Sequence, residues 1–139
     1  MYTINDVKML SFPEFGDDRG HLVVIEGSRN IPFSVKRVFY IYGSDGDVVR
    51  GRHANRISEF CLVNICGTSK VKAIDQMGNE KIFVLDRPHI GIYLPAMIWK
   101  DMYDFSSDSI LLVFSSEYYD GSEYIRNFDD FAGRDGERK

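Results

Sequence analysis

At 139 residues the chain is long enough for one domain with a single buried core. It is 44% hydrophobic and 27% charged, and its 14% aromatic share suits a β-rich core or a stacking pocket. A net charge of −4 argues against a nucleic-acid binder, whose footprint is basic, but leaves room for a local cluster of arginines around a phosphate.

The longest apolar runs, such as ILLVF at 110–114, are far too short to cross a membrane, and MYTINDVKML at the start lacks the layout of a secretion signal. Periodicity is nearly all of the two-residue kind. The predicted strands are 21–26 (HLVVIE), 35–42 (VKRVFYIY), 57–65 (ISEFCLVNI), 68–75, 80–85, 91–94, 98–105 and 109–116. Turn residues separate them in GSDGD, CGT, QMGN, DRPHIG and SSDS. Short strands at this spacing predict an all-β domain over 1–139, a closed or sandwiched antiparallel barrel.

Only the tail reads as helical. Asp120 with Glu123 forms a capping box, and Tyr124, Ile125, Phe128 and Phe131 fall at helical spacing, which predicts a short C-terminal helix lying on the barrel. Residues 132–139 are charged and contain glycine, and are expected to fray. Cys61 and Cys66 sit at an odd offset in one predicted strand, on opposite faces, so they are expected to be buried free thiols, as suits a reducing cytoplasm.

The chemistry is densest in RGRHANRISEF, residues 50–60. If 53–65 runs extended, one face reads His53, Asn55, Ile57, Glu59, Cys61, Val63 and Ile65, polar at one end and apolar at the other. A barrel with a dry bottom and a functional mouth has this pattern, and the even face, with Arg52, Arg56, Phe60 and Leu62, would then pack outward. A lone histidine is more often a core or turn residue, but the company of Asn55 and Glu59 favours a site at His53. His21 and His89 have no such company, and His89, in its DRPHIG turn, is expected to be solvated.

HANRISEF followed by CG resembles the first motif of the cupins, His-x-His with a later Glu and Gly. His53, Glu59 and Gly67 match, and Asn55 replaces the second histidine. GIYLPAMIWKDMYDF resembles their second motif at Gly91 and Pro95, with Met97 in place of its glycine and Lys100 in place of its histidine. The resemblance implies a cupin fold, a double-stranded β-helix or jelly roll. A divalent ion needs three or four imidazole or carboxylate ligands, and here one is an amide and another an ammonium, so neither metal nor other cofactor is expected.

A narrower resemblance spans residues 12–131. DDRGHLVVIE, IPFSVKRVFYIY, RGRHA, LDRPHIGIYLPAMIW and SSEYYDGSEYIRNFDDF are similar to segments of the sugar-nucleotide 3,4-ketoisomerases. That family implies a metal-free cytoplasmic enzyme acting on a dTDP-linked 4-keto-6-deoxy sugar, for deoxyamino sugars of surface polysaccharides such as lipopolysaccharide. It also implies a homodimer that exchanges N-terminal strands, here 1–34. Members usually keep both histidines of His-x-His, and often have one at the position of Lys100.

Moving a ketone from C4 to C3 requires removing the C3 proton and returning it at C4 through an enediolate. An imidazole can reach both carbons and titrate near neutrality, which assigns this work to His53. Lys100 and the Asn55 amide are candidate donors to the enediolate oxygens, and Glu59 a candidate partner for the imidazole. Arg19, Arg37, Arg50 and Arg52 are candidates for the diphosphate, with Arg19 and Arg50 favoured by the resemblance. Tyr40, Tyr42, Tyr93 and Trp99 are candidates for the sugar or thymine pocket, although isolated strand aromatics are more often core. Two other readings stand beside the isomerase. One is a non-catalytic nucleotide-sugar-binding cupin, which the asparagine favours; the other is a related metal-free epimerase, which leaves the ketone at C4.

Overall fold

The two-residue periodicity becomes twelve β-strands in a computed structural model that describes residues 1–133. They are β1 (Lys8–Ser11), β2 (Glu14–Asp17), β3 (Gly20–Val23), β4 (Arg37–Tyr42), β5 (Arg50–Asn55) and β6 (Phe60–Cys66). There follow β7 (Ser69–Ile74), β8 (Glu80–Leu85), β9 (Ile90–Leu94), β10 (Trp99–Tyr103), β11 (Ile110–Ser115) and β12 (Tyr124–Ile125), then one short helix, α1 (Phe128–Ala132). Two five-stranded antiparallel sheets, ordered β1-β9-β6-β11-β4 and β12-β5-β10-β7-β8, make the jelly roll; β2 and β3 form a separate hairpin.

The core lies between the sheets. Phe60, Leu62, Ile92, Leu94, Leu111 and Val113 of one meet Val71, Ala73, Phe83, Leu85 and Met102 of the other. Each sheet is also covered on its outer face. Cys61 and Val63 lie under Phe12, Ile31 and Phe33 from the N-terminal segment, while Ala54, Ile74 and Trp99 lie under Ile125 and Phe131.

This arrangement corrects the expected strand 57–65. The chain leaves one sheet after Asn55 and joins the other at Phe60, so the intervening residues turn a corner and reset the alternation. Phe60 and Leu62 therefore face inward, whereas Cys61 and Val63 face the outer layer, the reverse of the expected faces. Cys66 is exposed, because it ends its strand; only Cys61 is a buried thiol.

The helical tail is also corrected. Residues 121–123 make a 3-10 turn and Tyr124–Ile125 add a strand to β5, so the helix is confined to Phe128–Ala132, N-capped by Asn127 and closed by Gly133 at φ 74°. A five-residue helix has little stability of its own. Burial of Phe131 beside Trp99 holds it, worth about 2–3 kcal/mol for a side chain of that size. Asp120 caps its own turn by accepting from Ser122 N, but Glu123 does not complete a capping box; its carboxylate turns inward. Of the tail expected to fray, Ala132 closes the helix, and the residues after Gly133 lie outside the described ones.

Much of the N-terminal segment packs on its own chain. Ile4 N donates to Asp75 at 2.9 Å, β1 pairs with β9, and Phe12, Ile31 and Phe33 are buried. The β2–β3 hairpin alone joins neither sheet, leaving Phe15 62% and Leu22 58% exposed.

Candidate active site

The site begins with a defect in the ladder. Pairing between β10 and β5 steps from Lys100↔His53 to Asp101↔Gly51, so Arg52 is an extra residue, a β-bulge. Gly51 at φ 82° and Arg52 at φ 55° are both left-handed, and a Cβ on Gly51 would stand 3.0 Å from the Lys100 carbonyl oxygen. Glycine there allows the backbones to close. The bulge puts Arg52 outside and brings His53 level with Lys100 on the inner face.

Both side chains enter a cleft of about 700 Å³, floored by Phe60, Leu62, Met102 and Val113 and open between β4 and the C-terminal segment. That volume suits a small organic ligand. His53 meets the Tyr124 ring edge-on at 4.8 Å, and its buried Nδ1 has no hydrogen-bond partner. Burial, then the charges of Lys100 and Arg126, push the imidazole down to about 3, so it is a neutral base at physiological pH. The near-neutral titration expected of it belongs to Lys100. That ammonium is 3% exposed and lies 4.4 Å from the Phe60 ring centroid. Burial brings its pKa down to about 7, against the opposing pull of Glu123.

Asn55 is buried behind this pair. Its Oδ1 accepts from Lys100 Nζ at 3.3 Å and its Nδ2 donates to Glu123 Oε1 at 3.3 Å. Glu123 also receives Ile57 N at 3.1 Å, Ser58 N at 2.8 Å and Ser58 Oγ at 2.6 Å, serving amides that the corner leaves without ladder partners. Burial pushes the carboxyl up, but these bonds, Ser58 foremost, hold it below its ordinary range. Glu123 was hidden in the sequence because its spacing from Asp120 imitates a helix cap.

Cations collect on the other side of the cleft. Arg37 reaches Ser115 Oγ at 3.4 Å and the Tyr124 hydroxyl at 3.3 Å, lies over Phe39 and Tyr119, and keeps a buried Nε without a partner. Arg50 and Arg126 also line the cleft, the latter 4.9 Å over the Tyr124 ring. Three guanidinium groups lying among the aromatic rings of Phe39, Tyr119 and Tyr124 make a surface for an anion joined to a planar ring. Tyr124 and Arg126 are masked in the sequence by the helical spacing of the tail, which predicts a helix on the outside, and Tyr119 precedes it with no signal of its own.

The remaining candidates fall elsewhere. Tyr40 is at the rim, and Tyr42, 71% exposed, stacks on it outside the cleft. Glu59 lies beyond the corner, where its carboxylate accepts from the Tyr93 hydroxyl, so both belong to the outer side of the first sheet and not beside His53. Trp99 is core under α1, with Nε1 donating to Asp101 at 3.3 Å. Arg19 pairs with Asp17 on the free-standing hairpin, remote from this cleft. His89 is not solvated as expected: its side chain is 26% exposed, with Nδ1 3.6 Å from Glu14. Among the described residues no three His, Cys, Asp or Glu side chains gather as metal ligands would.

The same architecture occurs in proteins of known activity. The chain is 42% identical over 124 residues to TDP-4-oxo-6-deoxy-α-D-glucose-3,4-oxoisomerase of Aneurinibacillus thermoaerophilus, covering 89% of this chain and 88% of that one. It superposes on the sugar 3,4-ketoisomerase QdtA of Thermoanaerobacterium thermosaccharolyticum, solved with TDP, with TM-score 0.91 and 37% identity over 97% and 98% of the two chains. A QdtA mutant solved with TDP-4-keto-6-deoxyglucose also superposes with TM-score 0.91, at 36% identity over 97% of each chain. The dTDP-4-dehydrorhamnose 3,5-epimerase of Bacillus anthracis shares the fold, at 17% identity, TM-score 0.77 and coverage of 88% and 81%. The family model described as FdtA: WxcM-like, C-terminal matches residues 5–135, which take in both sheets, the bulge and the cleft. On that match, and on the identity to the oxoisomerase, the chain belongs to the FdtA-type, WxcM-like C-terminal family.

Proposed function

We propose that the protein is a sugar-nucleotide 3,4-ketoisomerase that moves the ketone of TDP-4-keto-6-deoxyglucose from C4 to C3. The observation that carries this reading is the pairing of a neutral imidazole, its buried Nδ1 without a hydrogen bond, with a buried lysine across one rung of the ladder, inside a cleft walled by arginines. The relatives' activity on TDP-linked sugars supports the substrate class. His53 takes the proton from C3 and returns it to C4, and the Lys100 ammonium meets the negative charge that develops on the sugar oxygens. Arg37, Arg50 and Arg126 hold the diphosphate. No step requires a metal, so exhaustive chelation leaves turnover intact.

The active unit in this reading is a homodimer in which the β2–β3 hairpin is exchanged. A hairpin with two exposed apolar side chains and no sheet of its own chain to join supports it. Arg19, remote from its own cleft, then serves the partner's. A monomeric mass by light scattering at micromolar concentration overturns the dimer.

Incubation with TDP-4-keto-6-deoxyglucose labelled with ¹³C in the sugar, in heavy water, tests the reaction. A carbonyl resonance moving to C3 is the expected result. A ketone that stays at C4 with deuterium at C3 and C5 identifies an epimerase, and binding without exchange identifies a non-catalytic cupin; either result overturns the reading.

A further inference from the structure

We propose that Lys100 carries the substrate's hydroxyl proton from O3 to O4, and that Glu123, acting through the Asn55 amide, is the positioning residue that keeps it there. The inference rests on the ketoisomerase reading and extends it to the second proton that the reaction must move. A 4-ketone becomes a 3-ketone only if one proton passes from C3 to C4 and another passes from the C3 hydroxyl to the oxygen on C4. His53 accounts for the first. For the second, the Lys100 ammonium gives a proton to O4 as the C3–H bond breaks. The resulting amine takes the proton from O3 as C4 is reprotonated, so Lys100 ends as it began.

The geometry has one solution at Asn55. An ammonium only donates and a carboxylate only accepts, so the amide between them must turn its oxygen to Lys100 and its nitrogen to Glu123, as it does at 3.3 Å on each side. The flipped amide would set donor against donor and acceptor against acceptor. All three residues are buried, at 1% for Asn55, 3% for Lys100 and 5% for Glu123, so water does not substitute for the missing bonds. Glu123 is itself fixed by Ser58 and the corner amides, so it cannot follow Lys100 if the lysine moves.

The other groups facing Lys100 are His53, in register on β5, and Phe60 beneath it, while Arg37, Arg50 and Arg126 stand in the cleft wall with the Tyr119 and Tyr124 hydroxyls. Glu123 is the buried anion that opposes those cations. A lysine brought to about 7 populates both amine and ammonium near neutrality, as a group that gives and takes in one turnover must. In this reading Asn55 is the connector that a lysine in this place requires.

The test uses full-length protein labelled with [¹³Cε]lysine, the Lys100 resonance being assigned by its loss in Lys100→Met. Its titration is followed in wild type, Glu123→Gln and Asn55→Leu, alongside the pH dependence of kcat/KM on TDP-4-keto-6-deoxyglucose. The expected midpoint is about 7 in wild type. It should lie lower by at least about half a pH unit in both variants, because each removes a group that favours the ammonium. The high-pH fall in kcat/KM should follow it downward. Midpoints unmoved in the variants, or a kinetic limb that does not follow them, overturn the proposal; if one variant fails to fold, the other decides. An active wild type whose Lys100 ignores both substitutions refutes the positioning role and leaves the isomerase reading standing. An inactive wild type whose Lys100 still follows them refutes the isomerase reading, and the proton transfer with it, while the coupling to Glu123 survives.

Discussion

The protein buries two asparagines along its core strands, Asn64 and Asn55, each 1% exposed, and they sit in opposite electrostatic company. Asn64, near the end of β6, donates to Ser109 Oγ at 2.8 Å and to the Cys66 carbonyl at 3.1 Å, and accepts from Ser69 Oγ. Its neighbours are neutral and its bonds join strand ends, so the cluster is structural. Asn55 lies between an ammonium and a carboxylate, two residues along β5 from a histidine with an unpaired nitrogen. Burial and satisfied hydrogen bonds do not tell structure from function here; charged partners and an orphaned ring atom beside an open cleft do.

The largest effect expected at the cleft end is that of His53→Asn. It should lower kcat by about 10²–10⁴-fold while TDP affinity, read by calorimetry, stays within a few-fold, since the imidazole acts on the sugar and not the diphosphate. Unchanged turnover would remove His53 from the mechanism. Arg37→Ala and Arg50→Ala should instead weaken TDP binding by about 1.5–3 kcal/mol as a charge-assisted contact is lost. Affinity equal to wild type in both would place the diphosphate elsewhere.

The structural asparagine should respond in the other currency. Asn64→Ala leaves the Ser69 and Ser109 hydroxyls short of a partner and should lower unfolding free energy by about 1–3 kcal/mol, with kcat per folded molecule unchanged. A fall in kcat without loss of stability would blur the contrast between the two asparagines.

The smallest effect is in pH and stability. Lys100 titrates at about 7 in the folded protein against an ordinary 10.5. Between those values the unfolded chain binds the extra proton, so the lysine's contribution to stability rises with pH through that window and is most unfavourable below 7. Lys100→Met should therefore raise the melting temperature by a few degrees at pH 6, with the gain shrinking toward pH 10. A difference that does not change with pH would mean that the folded lysine keeps its ordinary affinity for protons.

The sequence carried the architecture well where it depends on alternation. Strands β4, β7, β8, β10 and β11 fall inside the expected spans, and β9 begins one residue before its own, because each buries one face and shows turn residues at its ends. Strands β1, β2 and β5 lie outside every expected span, and two further places differ for one reason: each is a backbone event with no periodic signal. The corner between Asn55 and Phe60 reverses the faces, so Glu59, aligned with His53 on paper, lies with Tyr93 on the outer side. The tail's helical spacing arose from side chains serving a 3-10 turn, a two-residue strand and a five-residue helix in succession. Tyr124 and Arg126 line the cleft from that segment, and Glu123 is buried behind Lys100 and Asn55. His53 and Lys100 were legible as chemistry, but their adjacency depends on a bulge set by Gly51 and Arg52, which only strand pairing reveals.

The most direct measurement of the central claim is a crystal structure of the His53→Asn variant with TDP-4-keto-6-deoxyglucose. The sugar is expected in this cleft, with C3 and C4 facing residue 53, the exocyclic oxygens O3 and O4 both within hydrogen-bond reach of Lys100 Nζ, and the diphosphate against Arg37, Arg50 or Arg126. A sugar bound with C3 and C4 turned away from residue 53, or with Lys100 out of reach of both oxygens, would contradict it.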